Sequence, residues 1–335
     1  MKKCNILIPI GCRSDEGLSA PVIRRLKEQD WCECYILNLE PSKYIGSYIV
    51  TENYLEYMNY GKFDCPSSNI KFDLCLITGD RIEMMACAQA CFLNHVKIAH
   101  FYAGVIDYSF VLFDDIHRHS ITLMSDIAFC EDSKSADIVI GLWTTIGKIK
   151  KNYINYHKYL EENNIHIVGC SHLDDLELDE SLVPKEDCGS CKDLIDCNNI
   201  DKGCVVPYDL LLFNEITIGK EIRSFLQDKH LIIIGPNPDS SIPLQRLIID
   251  KRIKDYTYYN NLPRAKFLGL LSNCEQFITN SSSAYYEAPY LMKDPNKIVM
   301  IGKRNRNRST PKQLEPGASD KIVKILKEWW QNEQL

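Results

Sequence analysis

Short apolar runs alternate with amphipathic stretches along this chain. Cys4–Ile10 is apolar except for Asn5, the pattern of a strand covered on both faces. From Ser19 to Gln29, Val22, Ile23 and Leu26 recur at helical spacing, and Pro21 is expected in that helix's first turn. The same grammar predicts strands at Cys34–Leu39, Asp73–Thr78, Val96–Phe101, Asp126–Cys130 and His166–Gly169. Helices are expected from Arg81 to about Asn94, from Asp114 to Met124 and between the last two strands. Such alternation implies βαβ units, a parallel sheet and right-handed crossovers. Residues 174–202 break the pattern, being acidic, cysteine-containing and poor in apolar periodicity. It restarts with expected strands at Gly203–Val206, Leu231–Gly235, Asp255–Tyr259, Gln276–Thr279 and Lys297–Ile301. Expected helices there are Ile216–Gln227, Leu244–Ile249, Arg264–Ser272, Ala284–Leu291 and a last one at Ser319–Gln331. The two halves share a grammar but no sequence repeat.

The composition narrows the class. With 335 residues, 45% hydrophobic and 25% charged, the chain suits two soluble α/β domains and not a disordered, collagenous or disulfide-framework protein. A net charge of −6 disfavours nucleic acid as partner. No apolar run approaches the ~20 residues of a membrane span. The apolar start is followed by Gly11-Cys12-Arg13-Ser14-Asp15-Glu16 without a small-residue cleavage site, so it reads as the buried first strand of a cytoplasmic protein. Fifteen cysteines, an odd number, point to a reducing compartment. Cys4, Cys34, Cys75, Cys87, Cys91 and Cys130 lie in apolar segments as small hydrophobes. Cys188-x-x-Cys191 has zinc-ligand spacing, which Cys197 and Cys204 do not repeat. Tyr256, Tyr258, Tyr259, Trp329 and Trp330 read as packing.

Chemistry gathers in the loops that follow strands, where two-domain α/β proteins bind ligands. Gly11 and Gly17 bracket Arg13 at a strand-to-helix turn suited to phosphate, or simply to a solvated arginine. Thr78-Gly79-Asp80-Arg81 sets a carboxylate and a guanidinium at a strand's end; Asp80 is either a helix cap or a base. His100-Phe101-Tyr102 closes the next strand. Asp114 and Arg118, with His119, open a helix at i and i+4, as a surface ion pair or a held catalytic carboxylate. Asn280-Ser281-Ser282-Ser283, with Glu287 beyond, offers more hydroxyls than a cap needs. Gly302-Lys303-Arg304-Asn305-Arg306-Asn307-Arg308 concentrates cations suited to a diphosphate. Asn237 and Asp239 are turn formers first and ligand contacts second.

In this order, Gly11–Asp15 through Ala20-Pro21, Gly79-Asp80-Arg81, Arg118-His119-Ser120-Ile121-Thr122, Asn280–Ser283 with Glu287-Ala288-Pro289, and Gly302-Lys303-Arg304 resemble the UDP-N-acetylglucosamine 2-epimerase family. The likeness is closer to its hydrolysing, sialic-acid-pathway branch and spans roughly Asn5 to Arg308. It implies a GT-B fold of two Rossmann-like α/β domains whose parallel sheets face a central cleft. The sugar-side domain would be 1–172, with 173–202 as linker or insert, 203–318 as the UDP-side domain and 319–335 as a helix packing back on the first. The resemblance implies that Arg13, Arg81, Asn237, Ser281, Ser282, Glu287 and Arg304 bind the UDP-sugar. It places Asp80, Asp114, Arg118, His119 and Tyr102 at the reacting sugar. The family's reaction removes the C2 proton, expels UDP in an anti elimination and returns UDP or water to the resulting glucal. It needs no metal or redox cofactor, and a homodimer is the implied assembly. Two positions depart from the family. Tyr102 stands where an acidic residue or histidine is usual, and a phenol titrating near ~10 is a poor base at neutral pH. Val205-Val206-Pro207 lacks the histidine that many members carry before the proline. The alternatives are a GT-B glycosyltransferase, which would need no base at C2, and a UDP-sugar-binding homologue without turnover.

Overall fold

The computed structural model describes residues 2–11, 13–39, 71–106, 114–150, 155–186, 204–212, 230–235, 256–259, 262–302 and 316–334. The chain divides into two compact units, Met1–Asp175 with Pro311–Leu335, and Leu176–Thr310.

Unit 1 is built on a six-stranded parallel sheet. Its elements are β1 (Cys4–Ile10), α1 (Arg13–Lys27), β2 (Cys32–Asn38), β3 (Leu74–Thr78), α2 (Ile82–Leu93), β4 (Lys97–Phe101), α3 (Asp114–Met124), β5 (Ile127–Cys130), α4 (Ser133–Thr145), α5 (Tyr156–Glu162) and β6 (Ile165–Ile167). The strand order is β2-β1-β3-β4-β5-β6, every neighbour parallel. β3 and β5 are buried along their whole length, as their unbroken apolar runs require. Helix α1 starts six residues before the expected Ser19, at Arg13, so Pro21 lies inside it. Proline has no N–H to give the carbonyl one turn back, and the helix continues past it on its buried face. That face includes Ser19, Val22 and Leu26.

Unit 2 carries β7 (Lys185–Glu186), β8 (Cys204–Val205), β9 (Tyr208–Leu212), β10 (His230–Ile234), β11 (Tyr256–Tyr259), α6 (Arg264–Asn273), β12 (Gln276–Thr279), α7 (Ser283–Tyr286), α8 (Ala288–Leu291) and β13 (Ile298–Met300). Its parallel sheet runs β11-β10-β9-β12-β13. The central strand β9 corrects the sequence reading, which placed this half's first strand at Gly203–Val206. Cys204–Val205 instead pairs antiparallel with Lys185–Glu186. The core strand begins one residue after Pro207 and buries Asp209 among apolar neighbours. The expected helix Ala284–Leu291 is two short helices meeting at Glu287, because Pro289 cannot donate to the turn before it. The helices expected at Ile216–Gln227 and Leu244–Ile249 lie outside the described residues.

The last helix, α9 (Ala318–Glu333), belongs to unit 1. It buries Ile322, Val323, Leu326 and Trp330 and packs on α1. Asp174, buried at the end of unit 1's first segment, caps it from a distance. One carboxylate oxygen accepts the Ser319 N–H at 2.8 Å and the other accepts the Gly317 N–H. Arg25 on α1 reinforces the joint, with a two-pronged bond to Asp175 and a 2.7 Å bond to Asp320. Among the described residues no helix is long and apolar enough to cross a membrane.

Candidate functional site

Parallel strands deliver their carboxyl ends to one edge of a sheet, so the loops after β3 and β4 are neighbours before any side chain is considered. Gly79 closes β3 at φ 82°, a left-handed turn that frees the chain to leave the sheet, and its carbonyl meets the next strand's histidine. His100 on β4 is fully buried, with Nε2 2.8 Å from the Gly79 oxygen and Nδ1 2.9 Å from the Thr122 hydroxyl on α3. A carbonyl can only accept, so Nε2 carries the hydrogen. Burial pushes the imidazole down to about 4, with the Gly79 bond opposing, so it is neutral at physiological pH. His100 thus ties together β3, β4 and α3, the elements that present the charged groups.

Asp80 does not cap α2. Arg81 occupies the cap position, without a side-chain bond, and Asp80 forms an ion pair with Arg118 of α3. Arg118 is 6% exposed. Its Nη1 donates to the Val105 carbonyl at 2.8 Å and lies 3.9 Å from Asp115. A buried guanidinium demands such compensation, and the loop after β4 supplies part of it. The loop is held by Gly104 at φ 74°, where a Cβ would come within 2.1 Å of the Ser135 carbonyl oxygen. Arg81 clasps Glu83, its Nε 3.2 Å and its Nη2 3.3 Å from the two carboxylate oxygens. Asp15 lies 3.9 Å from Arg81 and accepts the Gly11 N–H at 3.1 Å, tying the loop after β1 to the same edge.

Asp114 opens α3 half-buried, with Asp115 beside it, where a helix N-terminus favours negative charge. His119 on the same helix is held below its usual value by burial and then by the Arg118 cation. Tyr102, just past β4, adopts φ 66° and is buried. Its hydroxyl accepts the Ser171 N–H at 3.1 Å and lies 2.9 Å from His172 Nδ1. The phenol is thus tied to the segment after β6. Arg13 starts α1.

In unit 2, Thr279 and Asn280 are buried at the end of β12, and Glu287 is buried where α7 meets α8. Ser281 donates its N–H to Thr279 Oγ1 at 2.9 Å, and its hydroxyl lies 3.3 Å from the Ser283 N–H that it caps. Ser282 takes the cap position without a side-chain bond. Burial raises the Glu287 carboxyl, and Arg264, bonded to it at 2.8 Å, opposes the rise. Asn237 and Arg304 lie outside the described residues, as do Cys188, Cys191 and Cys197.

The sequence reading did not find Asp15, Glu83, His100 or Val105 as parts of this arrangement. Glu83, two residues from Arg81, was a visible signal. A backbone carbonyl such as Val105 leaves none.

Residues 61–195 match the family described as UDP-N-acetylglucosamine 2-epimerase. A Campylobacter jejuni protein named GDP/UDP-N,N'-diacetylbacillosamine 2-epimerase (hydrolyzing) is 27% identical over 263 residues, 74% of this chain and 61% of its own length. A Legionella pneumophila UDP-N,N'-diacetylbacillosamine 2-epimerase (hydrolyzing) is 24% identical over 70% of this chain and 58% of its own. The chain therefore spans about six-tenths of these relatives' length. Among solved structures, the Neisseria meningitidis UDP-GlcNAc 2-epimerase bound to UDP-GlcNAc superposes with a TM-score of 0.65 at 15% identity, over 97% of this chain and 100% of that one. The Methanocaldococcus jannaschii enzyme with UDP-GlcNAc and UDP gives 0.66 at 17%, over 97% and 99%. The resemblance drawn from the motifs, the hydrolysing branch included, and the expected α/β, GT-B-like fold are borne out.

Proposed function

We propose that this chain, similar in motifs and in fold to the UDP-N-acetylglucosamine 2-epimerases, is a nucleotide-sugar 2-epimerase of the hydrolysing kind. Its substrate would be a UDP-linked 2-acetamido sugar, a class that includes the diacetylbacillosamine named for the relatives. The observation that carries this reading is the buried Arg118 guanidinium, fixed by Asp80 and the Val105 carbonyl at the edge where β3 and β4 end. A cation already held in place stabilises charge that develops as a leaving group departs, at no cost of reorganisation.

The geometry supports the following roles. Asp80 is paired with Arg118, so its part is to orient the cation. Asp114, half-buried at the start of α3, takes the C2 proton. The C2 electron pair forms the double bond as the C1–oxygen bond breaks and UDP leaves. Water then adds at C1, while a proton returns to C2 on the opposite face. Arg13, Arg81, Asn237, Ser281, Ser282, Glu287 and Arg304 bind the nucleotide-sugar in this reading, and His119 and Tyr102 border the sugar. Cytoplasmic work as a homodimer belongs to it too, with exposed Phe92, Leu93 and Ile116 available for self-association.

The test is incubation with UDP-N-acetylglucosamine and with UDP-diacetylbacillosamine in deuterated water, followed by proton NMR. Released UDP and a manno-configured sugar carrying deuterium at C2 are expected from one of them. A sugar released with its C2 hydrogen intact would point to transfer, and an unaltered substrate would overturn the assignment for both. Asp114→Asn should abolish turnover while leaving UDP affinity within about threefold.

A further inference from the structure

The cysteines that the proposed reaction does not use include three brought together inside unit 1. Cys75 lies on β3, while Cys87 and Cys91 stand one turn apart on the face of α2 that packs against it. All three are at most 1% exposed. Cys75 Sγ and Cys87 Sγ are 4.0 Å apart, and all three sulfurs lie within 4.8 Å of one another. Among the described residues this is the group of three or more metal-ligating side chains that converges so closely.

We propose that Cys75, Cys87 and Cys91 form a three-coordinate site for a soft monovalent metal ion, with copper(I) as the occupant. The centre of a sulfur triangle with edges of at most 4.8 Å lies at most 2.8 Å from each corner, the edge divided by √3. Metal–thiolate bonds are about 2.3 Å, so the cage needs to contract by half an ångström at most. Thiolate and thioether sulfurs favour copper(I), whereas zinc asks for four ligands. Leu7, Phe72, Ile77, Met84, Ile98 and Ile121 enclose the trio, so thiolates formed there need a cation among them. Cysteine ligates as the thiolate, so each thiol that binds the ion gives its proton to water. No electron is transferred, since copper enters and remains as copper(I). The bound ion would join β3 to α2, the strand and helix on either side of Asp80 and Arg81.

The test is anaerobic titration of the reduced full-length chain with copper(I) against a chromogenic chelator. One equivalent should resist the chelator in the wild type and in Cys188→Ser/Cys191→Ser. It should be lost in Cys87→Ala/Cys91→Ala. Bound copper should raise the wild-type Tm by roughly 5 °C, and X-ray absorption on the same sample should count three sulfur ligands. Because that count needs no substitution, it stands even where the cysteine variant fails to fold. Retention of the tight equivalent by Cys87→Ala/Cys91→Ala, its loss from Cys188→Ser/Cys191→Ser, or a coordination shell without three sulfurs would each overturn the site.

Discussion

At Arg118 the guanidinium's geometry matters as much as its charge. Two of its nitrogens serve different partners, the Val105 carbonyl and Asp80, from a position only 6% exposed. Arg118→Lys keeps the charge but has no planar fork to span both. Turnover should fall by ~100-fold or more in steady-state assays while the protein stays folded, and a loss under threefold would remove the fork from the mechanism. Asp80→Asn leaves the buried cation undercompensated. It should cost roughly 3 kcal/mol in denaturant unfolding as well as activity. His100 gives a pH signature. Its native value of about 4 lies below the unfolded value of ~6.5, so between these limits the unfolded chain binds more protons. Stability should therefore be undiminished above pH ~6.5 and fall as pH drops toward 4, by on the order of 3 kcal/mol for this residue. Burial also lowers His166 to about 4, and it acts in the same direction. His100→Gln should flatten that slope in urea titrations across the window.

Elements were legible where local pattern and tertiary fate agree. Cys4–Ile10, Asp114–Met124 and Gln276–Thr279 appear with the bounds expected, because an apolar run or a helical stripe ends against charged or turn-forming residues. Elements were misread where one residue contradicted its neighbours. Pro21 suggested a helix start although α1 runs through it, and Pro207 and Asp209 hid β9 although a central strand can begin after a proline and bury a carboxylate. At the candidate site, Asp80, Arg81 and Arg118 were legible as residue types at strand ends. Asp80's partner was not, because its pairing with Arg118 depends on helix packing that no local spacing encodes. Gly104 is the loop's weak point. Gly104→Ala should lower stability by at least ~2 kcal/mol, since φ 74° and the Ser135 carbonyl both exclude a methyl group. If thermal melts show no change, the loop does not hold the Val105 carbonyl as described.

Over the whole molecule, unit 1 is assembled from two separate stretches of chain, joined where the Asp174 carboxylate meets the start of α9. Asp174→Ala removes a cap and a charge-to-dipole contact together, and should cost about 1–2 kcal/mol. Limited proteolysis should then cut within 318–333 before it cuts the six-stranded sheet. During synthesis this arrangement has a consequence of its own. A ribosome has synthesised the whole of the second unit before it makes the helix that packs on α1. Until then α1 waits without its cover, so the first unit cannot close until translation has passed through the second.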